Sequence, residues 1–335
     1  MLRKLIRELL SPLKGVFSRA TALLLVASSA ALAGTESWDF TTAPDTTFTI
    51  VHNETKTVWW YPTDGNPGGY LSLSDANNSE QLVAVFPDID GGFPVKAFHL
   101  TADVRAGNSS SSDGRPADGF SISYCREGDP VLKNATNGVA GGAAGGDSAA
   151  QTTDPAGSGD LENGTKTGVA ILFDAWQGNQ LPDTGAGGTL GPDVEGISVR
   201  VDDKTLKQID MSASRNGNCT SNECAAAVCA DATTEQTGPW LDDGGSFTSL
   251  CWAKLDVELN TNKQVTVIWK GKVLLDHFQL ESYSPHRGRL VLMGRTGGNN
   301  QNVHFDNIQL TTVPATESTF GGWRGGRRLI SSKSS

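Results

Sequence analysis

After residue 34 this sequence of 335 residues has almost no stretch in which apolar residues recur at helical spacing. A fold built mainly on helices is thereby excluded. Beyond the first 33 residues there is also no apolar run long enough to cross a bilayer, so no membrane span is expected in the mature chain. No internal repeat recurs at a fixed period, which disfavours propellers and solenoids. Cations are scarce where they would matter for nucleic acid. Of 27 Lys and Arg, five lie in residues 1–33 and four in residues 324–333, and residues 34–313 hold the other 18 against 35 Asp and Glu, a net of −17. A body so acidic repels phosphates, and nucleic acid is excluded as a partner. The surplus carboxylates serve solubility or hold divalent cations.

Cysteine is equally sparse, with five in all. Four of them, Cys219, Cys224, Cys229 and Cys251, fall within 33 residues around an Asn/Asp/Thr-rich stretch. In an oxidising compartment that clustering predicts one or two local disulfides stapling an insertion, with the pairing left open. Zinc is disfavoured, because no His lies nearby and the spacing lacks the tight pairs of structural sites. Cys125, in the run Phe120 to Cys125, reads as a buried free thiol.

What the chain does have is glycine (39), proline (14) and many short runs with period-two alternation or continuous β-branched and aromatic content. They are Phe48–Val51, Val58–Tyr61, Tyr70–Leu73, Val83–Phe86, Lys96–Arg105, Gly119–Cys125, Gly168–Phe173, Gly196–Val201, Trp252–Leu259, Gln264–Trp269, Lys272–His277, Arg289–Met293 and Val303–Leu310. About a dozen strands separated by Gly, Asn, Asp and Pro turns predict an all-β sandwich or barrel. Lys270-Gly271 places a tight hairpin turn between two of them.

The first 33 residues carry Arg3, Lys4, Arg7, Lys14 and Arg19, then an apolar run from Ala20 to Leu32, and Ala31 and Ala33 in an A-x-A arrangement. This is the pattern of a cleaved export signal peptide, and it predicts a secreted or cell-surface protein. Residues 34–313 are then expected to form the sandwich, with loop insertions at about 137–166 and 210–250 and a disordered basic tail over 314–335.

Three short stretches bear on function. Ala117-Asp118-Gly119-Phe120 sets an acid and a glycine at the mouth of a strand. The strand from Gly168 to Phe173 empties into Asp174-Ala-Trp176-Gln-Gly178-Asn179, a turn offering carboxylate, carbonyl and amide oxygens. The last, Gly294-Arg295-Thr296-Gly297-Gly298-Asn299-Asn300, is a glycine-rich loop before a final strand. In content and order these resemble the L-type lectins of the concanavalin A-like superfamily, and more closely their bacterial relatives. The likeness spans about Trp38 to Thr312 and implies a jelly-roll β-sandwich of two antiparallel sheets that binds glycan or polysaccharide.

The resemblance also implies roles for individual residues. Asp118 would accept hydrogen bonds from sugar hydroxyls, positioned by Gly119 and by a cis peptide before the Asp. Backbone N–H groups of Gly298 and Asn299 would complete the pocket, and Trp176 would offer an aromatic face. Asp174, the carbonyl of Trp176, Asn179 and Asp183 would surround a calcium ion, a hard cation that takes six to eight oxygens. That ion would fix the loop so that Asn179 also donates to the sugar. The chain departs from the family in having one extra residue between Trp176 and Asn179. It also lacks the acid and His that would hold a second, transition-metal ion.

Catalysis is not expected. Retaining glycoside hydrolysis on such a sheet needs paired carboxyls along one strand, and the nearest approach, Asp256-Val-Glu258, has no third partner. Two alternatives to a lectin therefore stand: a non-catalytic surface or adhesion module that has lost the sugar, and a glycan-degrading enzyme on the same fold. Asp306 and Asn307 read as structural residues that alternation turns to opposite faces of their strand.

Overall fold

The computed structural model describes residues 33–107, 117–144, 161–175, 196–210 and 252–315. The export segment, the four clustered cysteines and the basic tail from 316 lie outside the described residues. The chain divides into units 1–30 and 31–335, and all of the described residues lie in the second.

Period-two spacing turns every second side chain to one face, and burying that face selects strands. They are β1 (Thr35–Trp38), β2 (Thr49–His52), β3 (Trp60–Tyr61), β4 (Tyr70–Asp75), β5 (Gln81–Val85), β6 (Val95–Gly107), β7 (Gly119–Arg126) and β8 (Val169–Asp174), followed by β9 (Gly196–Val201), β10 (Lys204–Asp210), β11 (Ala253–Leu259), β12 (Gln264–Trp269), β13 (Lys272–Gln279), β14 (Gly288–Arg295) and β15 (Asn302–Pro314). All pair antiparallel in two sheets, a jelly-roll β-sandwich. One sheet runs β13-β12-β11-β6-β15-β4-β3, with β1 also on β15, and the other runs β10-β9-β8-β7-β14-β5-β2.

Two strands carry little sequence signal. β1 is short and exposed, and it forms only because its backbone completes the edge of β15. β10 is interrupted by a bulge between Thr205 and Lys207, which breaks the alternation that would reveal it. The hairpin at Lys270-Gly271 is present, with both residues in the left-handed region at φ 53° and 71° and Trp269 paired to Lys272.

The core lies between the sheets. Phe120 stacks on Phe173 with ring centroids 4.5 Å apart, meets Phe305 of the facing sheet edge-on at 5.5 Å, and Phe173 reaches Trp269 at 5.6 Å. Phe120 follows Gly119 and Phe173 precedes Asp174, so this aromatic cluster anchors the two strand ends that carry the candidate site.

The outer face of the seven-stranded sheet is covered as well. A seven-residue helix, α1 (Pro130–Thr136), is capped by Asp129, whose carboxylate accepts the Val131 N–H at 2.8 Å. Val131 and Ala135 pack with Val83, Val85, Val291, Met293 and the buried thiol of Cys125 in a second apolar cluster. Ala143, Ala144 and Leu161 are buried too. The two ends of the segment expected to be a surface loop thus contribute apolar burial, because the small Ala side chains fit closely over the sheet.

Asp306 and Asn307 do not point to opposite faces. The pairing of β15 with β6 shifts between Asp306 and Gln309, and Asn307 adopts φ 47°. Both residues therefore reach the same loop. Asp306 accepts the Asn66 N–H at 2.5 Å, and the Asn307 amide donates to the Asn66 carbonyl and, at 2.8 Å, to Asp103. They pin a neighbouring loop, as structural residues would.

Candidate functional site

The three stretches, far apart in sequence, arrive at one end of one sheet. Gly119 pairs with Asp174 of β8 on one side and with Arg295 of β14 on the other. Gly119 is required there by proximity: a Cβ would stand 2.3 Å from the Phe173 carbonyl oxygen. The peptide bond between Ala117 and Asp118 is cis, as the resemblance implied. The main chain of Asp118 is tied to both neighbours, its N–H donating to the Arg295 carbonyl at 3.2 Å and its carbonyl accepting from Ala175 at 2.8 Å.

The Asp118 side chain, 13% exposed, is the centre of the arrangement. The Nε of Arg295 donates to its Oδ2 at 2.8 Å and stands 3.4 Å from Oε2 of the buried Glu162. Burial pushes the Asp118 carboxyl above the usual carboxylate range, while Arg295 pulls the other way. Arg295 opens the glycine-rich motif and could have been found there by its charge. Glu162 had no such signal, because it lies in a Gly/Ala-rich segment whose contribution appears only when a 3-10 turn (Leu161–Asn163) folds back onto β7, where Ser121 donates to the Leu161 carbonyl at 2.7 Å.

The glycine-rich loop closes over the same spot. The residue that touches Asp118 is Gly297, where a Cβ would lie 3.0 and 3.2 Å from the two carboxylate oxygens. Gly298 is exposed with open space around it, and Asn299 is half-buried. The turn between β4 and β5 holds this loop: Thr296 donates its N–H to the Glu80 carbonyl at 2.9 Å and accepts the Glu80 N–H on Oγ1 at 2.9 Å. Ser79 donates to the Gly297 carbonyl at 3.0 Å, and Asn300 to the Asn78 side chain at 2.6 Å.

Beneath that turn lies a buried charge network. Lys56, fully buried, pairs with Asp75 and stands 3.9 Å from Glu80. Asp75 also takes the Tyr61 hydroxyl at 2.9 Å, and hydrogen bonds from His304 and Lys56 hold its carboxyl well below the usual range against its burial. Arg105 donates to Nδ1 of His304 at 3.1 Å, which leaves Nε2 as the protonated nitrogen facing Asp75. Burial pushes the His304 imidazole down to about 4, so it is neutral and fully used as a spacer between charges.

Of the expected calcium ligands, Asp174 is half-buried at the end of β8, directly opposite Gly119. Trp176, Asn179 and Asp183 lie outside the described residues. Among the described residues no three His, Cys, Asp or Glu side chains gather to hold a metal. The donor types of the set, carboxylate, carbonyl and amide oxygen, suit a hard cation. No helix among the described residues is long and apolar enough to cross a membrane.

No family model matches the chain, and no curated protein does. Solved structures similar to it include several lectins. A lectin from Bauhinia forficata in complex with GalNAc shares 14% identity, with 84% of this chain and 99% of that one covered and a TM-score of 0.47. Lectin II from Ulex europaeus shares 12%, with 83% and 97% covered and a TM-score of 0.46. The Ca2+-bound exoplasmic/lumenal domain of VIP36 shares 13%, with 84% and 91% covered and a TM-score of 0.41. Nothing about this chain's ligand rests on likeness at that level, and the two-sheet architecture stands on the strand pairing itself.

Proposed function

We propose that this chain is a secreted or cell-surface lectin that binds glycan or polysaccharide at the strand ends around Asp118 and catalyses no reaction. One observation carries the reading: the segments holding Asp118-Gly119, Asp174 and Gly297-Gly298-Asn299 converge on a carboxylate that main chain approaches closely. A carboxylate rimmed by glycine main chain can accept from two sugar hydroxyls while backbone groups meet the rest of the ring. Asp118, Gly119, Gly298, Asn299, Trp176 and Asn179 are the sugar contacts in this reading. Calcium, held by Asp174, the carbonyl of Trp176, Asn179 and Asp183, would supply charge that fixes the loop after β8. Asp118 and Glu162 share one guanidinium rather than facing each other across a groove, which fits binding better than glycoside cleavage.

A second reading follows from the same ion pair. Because Arg295 already takes Oδ2 of Asp118, the site could be a structural remnant in a surface module that no longer binds sugar. A glycan array probed with the mature chain, with and without a calcium chelator, separates the two. Glycan binding that disappears on chelation and in Asp118→Ala supports the lectin. A folded chain that binds no glycan in either condition leaves the surface module.

A further inference from the structure

The outer face of the seven-stranded sheet has a second opening, at the far end from Asp118. Leu290 and Leu292 of β14 face the core between the sheets, whereas Val291 and Met293 belong to the outer cluster, so Arg289 and Arg295 lie on the outer side at opposite ends of the strand. Six residue steps along the strand separate them by about 20 Å. Beside Arg289 a cavity of about 360 Å3 opens between α1 and strands β2, β5 and β14. That is within the range of about 300–1,000 Å3 found for small-molecule sites.

Its apolar lining comes from Val85, Leu132 and Ala135, and Lys133, Arg287 and Arg289 bring three cations to it. Among the described residues none of these three side chains has an ion pair or a hydrogen bond. In a body with 18 cations against 35 carboxylates, three unneutralised cations at one cavity reverse the local sign. Glu127 and Asp88 also reach the lining and oppose a second negative charge on any occupant. Solvated surface cations would need no concave apolar floor beneath them.

We infer that this cavity binds a small organic monoanion, with an apolar or aromatic body over Leu132 and Ala135 and a carboxylate or sulfate held by the guanidinium forks of Arg287 and Arg289. The site is separate from the sugar site in position and in the sign of its charges.

The test uses two probes of nearly equal shape, naphthalene-2-carboxylate and its uncharged carboxamide, titrated calorimetrically into the mature chain at low ionic strength. The carboxylate is expected to bind at least about tenfold more tightly than the amide, and Arg287→Gln with Arg289→Gln to erase the difference. Arg287 is exposed and Arg289 half-buried, and a circular dichroism melt checks that the double variant is folded. Glu127→Gln is expected to tighten the carboxylate by about twofold to threefold. Asp118→Ala is expected to leave the affinity for both naphthalene probes unchanged. Equal affinity for both probes, no detectable binding of either, an unchanged preference in the folded double variant, or loss of binding in Asp118→Ala would each overturn the inference.

Discussion

Three glycines near the site differ in what surrounds them, and their substitution by alanine grades the packing of this corner. At Gly119 a Cβ would lie 2.3 Å from the Phe173 carbonyl oxygen and 3.1 Å from the Asp174 Cα, both main-chain atoms of the neighbouring strand. Real Cβ contacts do not fall below 3.0 Å, so β7 and β8 must part by at least about 0.7 Å. The Ala175 to Asp118 hydrogen bond, at 2.8 Å, sits at the point of separation. Overpacking of about 1–3 kcal/mol plus one weakened backbone bond of about 1 kcal/mol gives a cost of about 2–4 kcal/mol for Gly119→Ala. With a urea slope of about 3 kcal/mol/M, the midpoint should fall by about 1 M. At Gly297 the obstacle is the Asp118 carboxylate at 3.0 Å, the end of a side chain that can give by a few tenths of an ångström, so the cost there should be about 1 kcal/mol. Gly298 meets nothing within 4 Å and should change stability by less than about 0.5 kcal/mol. The assay is urea unfolding followed by fluorescence, with glycan binding measured in parallel. A Gly119→Ala midpoint within error of wild type, or one above that of Gly298→Ala, would refute the account of the strand junction.

Asp306 is fully buried, and burial with Asp103 and Asp39 nearby pushes its carboxyl up to about 6. A raised carboxyl contributes stability that is present below the unfolded value near 4 and is lost as pH rises through the folded value. Wild-type stability should therefore fall by about 2 kcal/mol between pH 4 and pH 7 from this group, and Asp306→Asn should remove that fall. Denaturation curves at the two pH values that keep a constant gap between wild type and variant would contradict it. Lys56→Met should destabilise by about 3–5 kcal/mol, since it leaves Asp75 and Glu80 without their buried cation, and should loosen the glycine-rich loop through the Glu80–Thr296 contacts. Hydrogen exchange at Thr296 and Gly297 reports the second effect: protection unchanged in a folded Lys56→Met would disprove it. Phe120→Ala should cost about 3–5 kcal/mol by opening the stacked cluster with Phe173 and Phe305, read as a lowered Tm.

Alternation alone located most strands within a residue or two, because the period of a strand is a property of consecutive residues and burial of one face imposes it locally. The tight turn at Lys270-Gly271 was legible for the same reason, and so was the order of the three motifs along the chain. What the tertiary structure decided are the partners. Arg295 meets Asp118 across 177 residues of sequence, and Glu162 joins them from a segment too poor in pattern to be read. Gly297 is the glycine set against the Asp118 carboxylate, because the loop that carries it is hung on Glu80 and Ser79, a contact set by the register of β5 against β14. Asp306 and Asn307 share one loop through a shift in strand pairing that no spacing announces. Local pattern dictates which way each side chain points. Which distant side chain it then meets depends on sheet order, register and loop closure, which only the assembled sandwich determines.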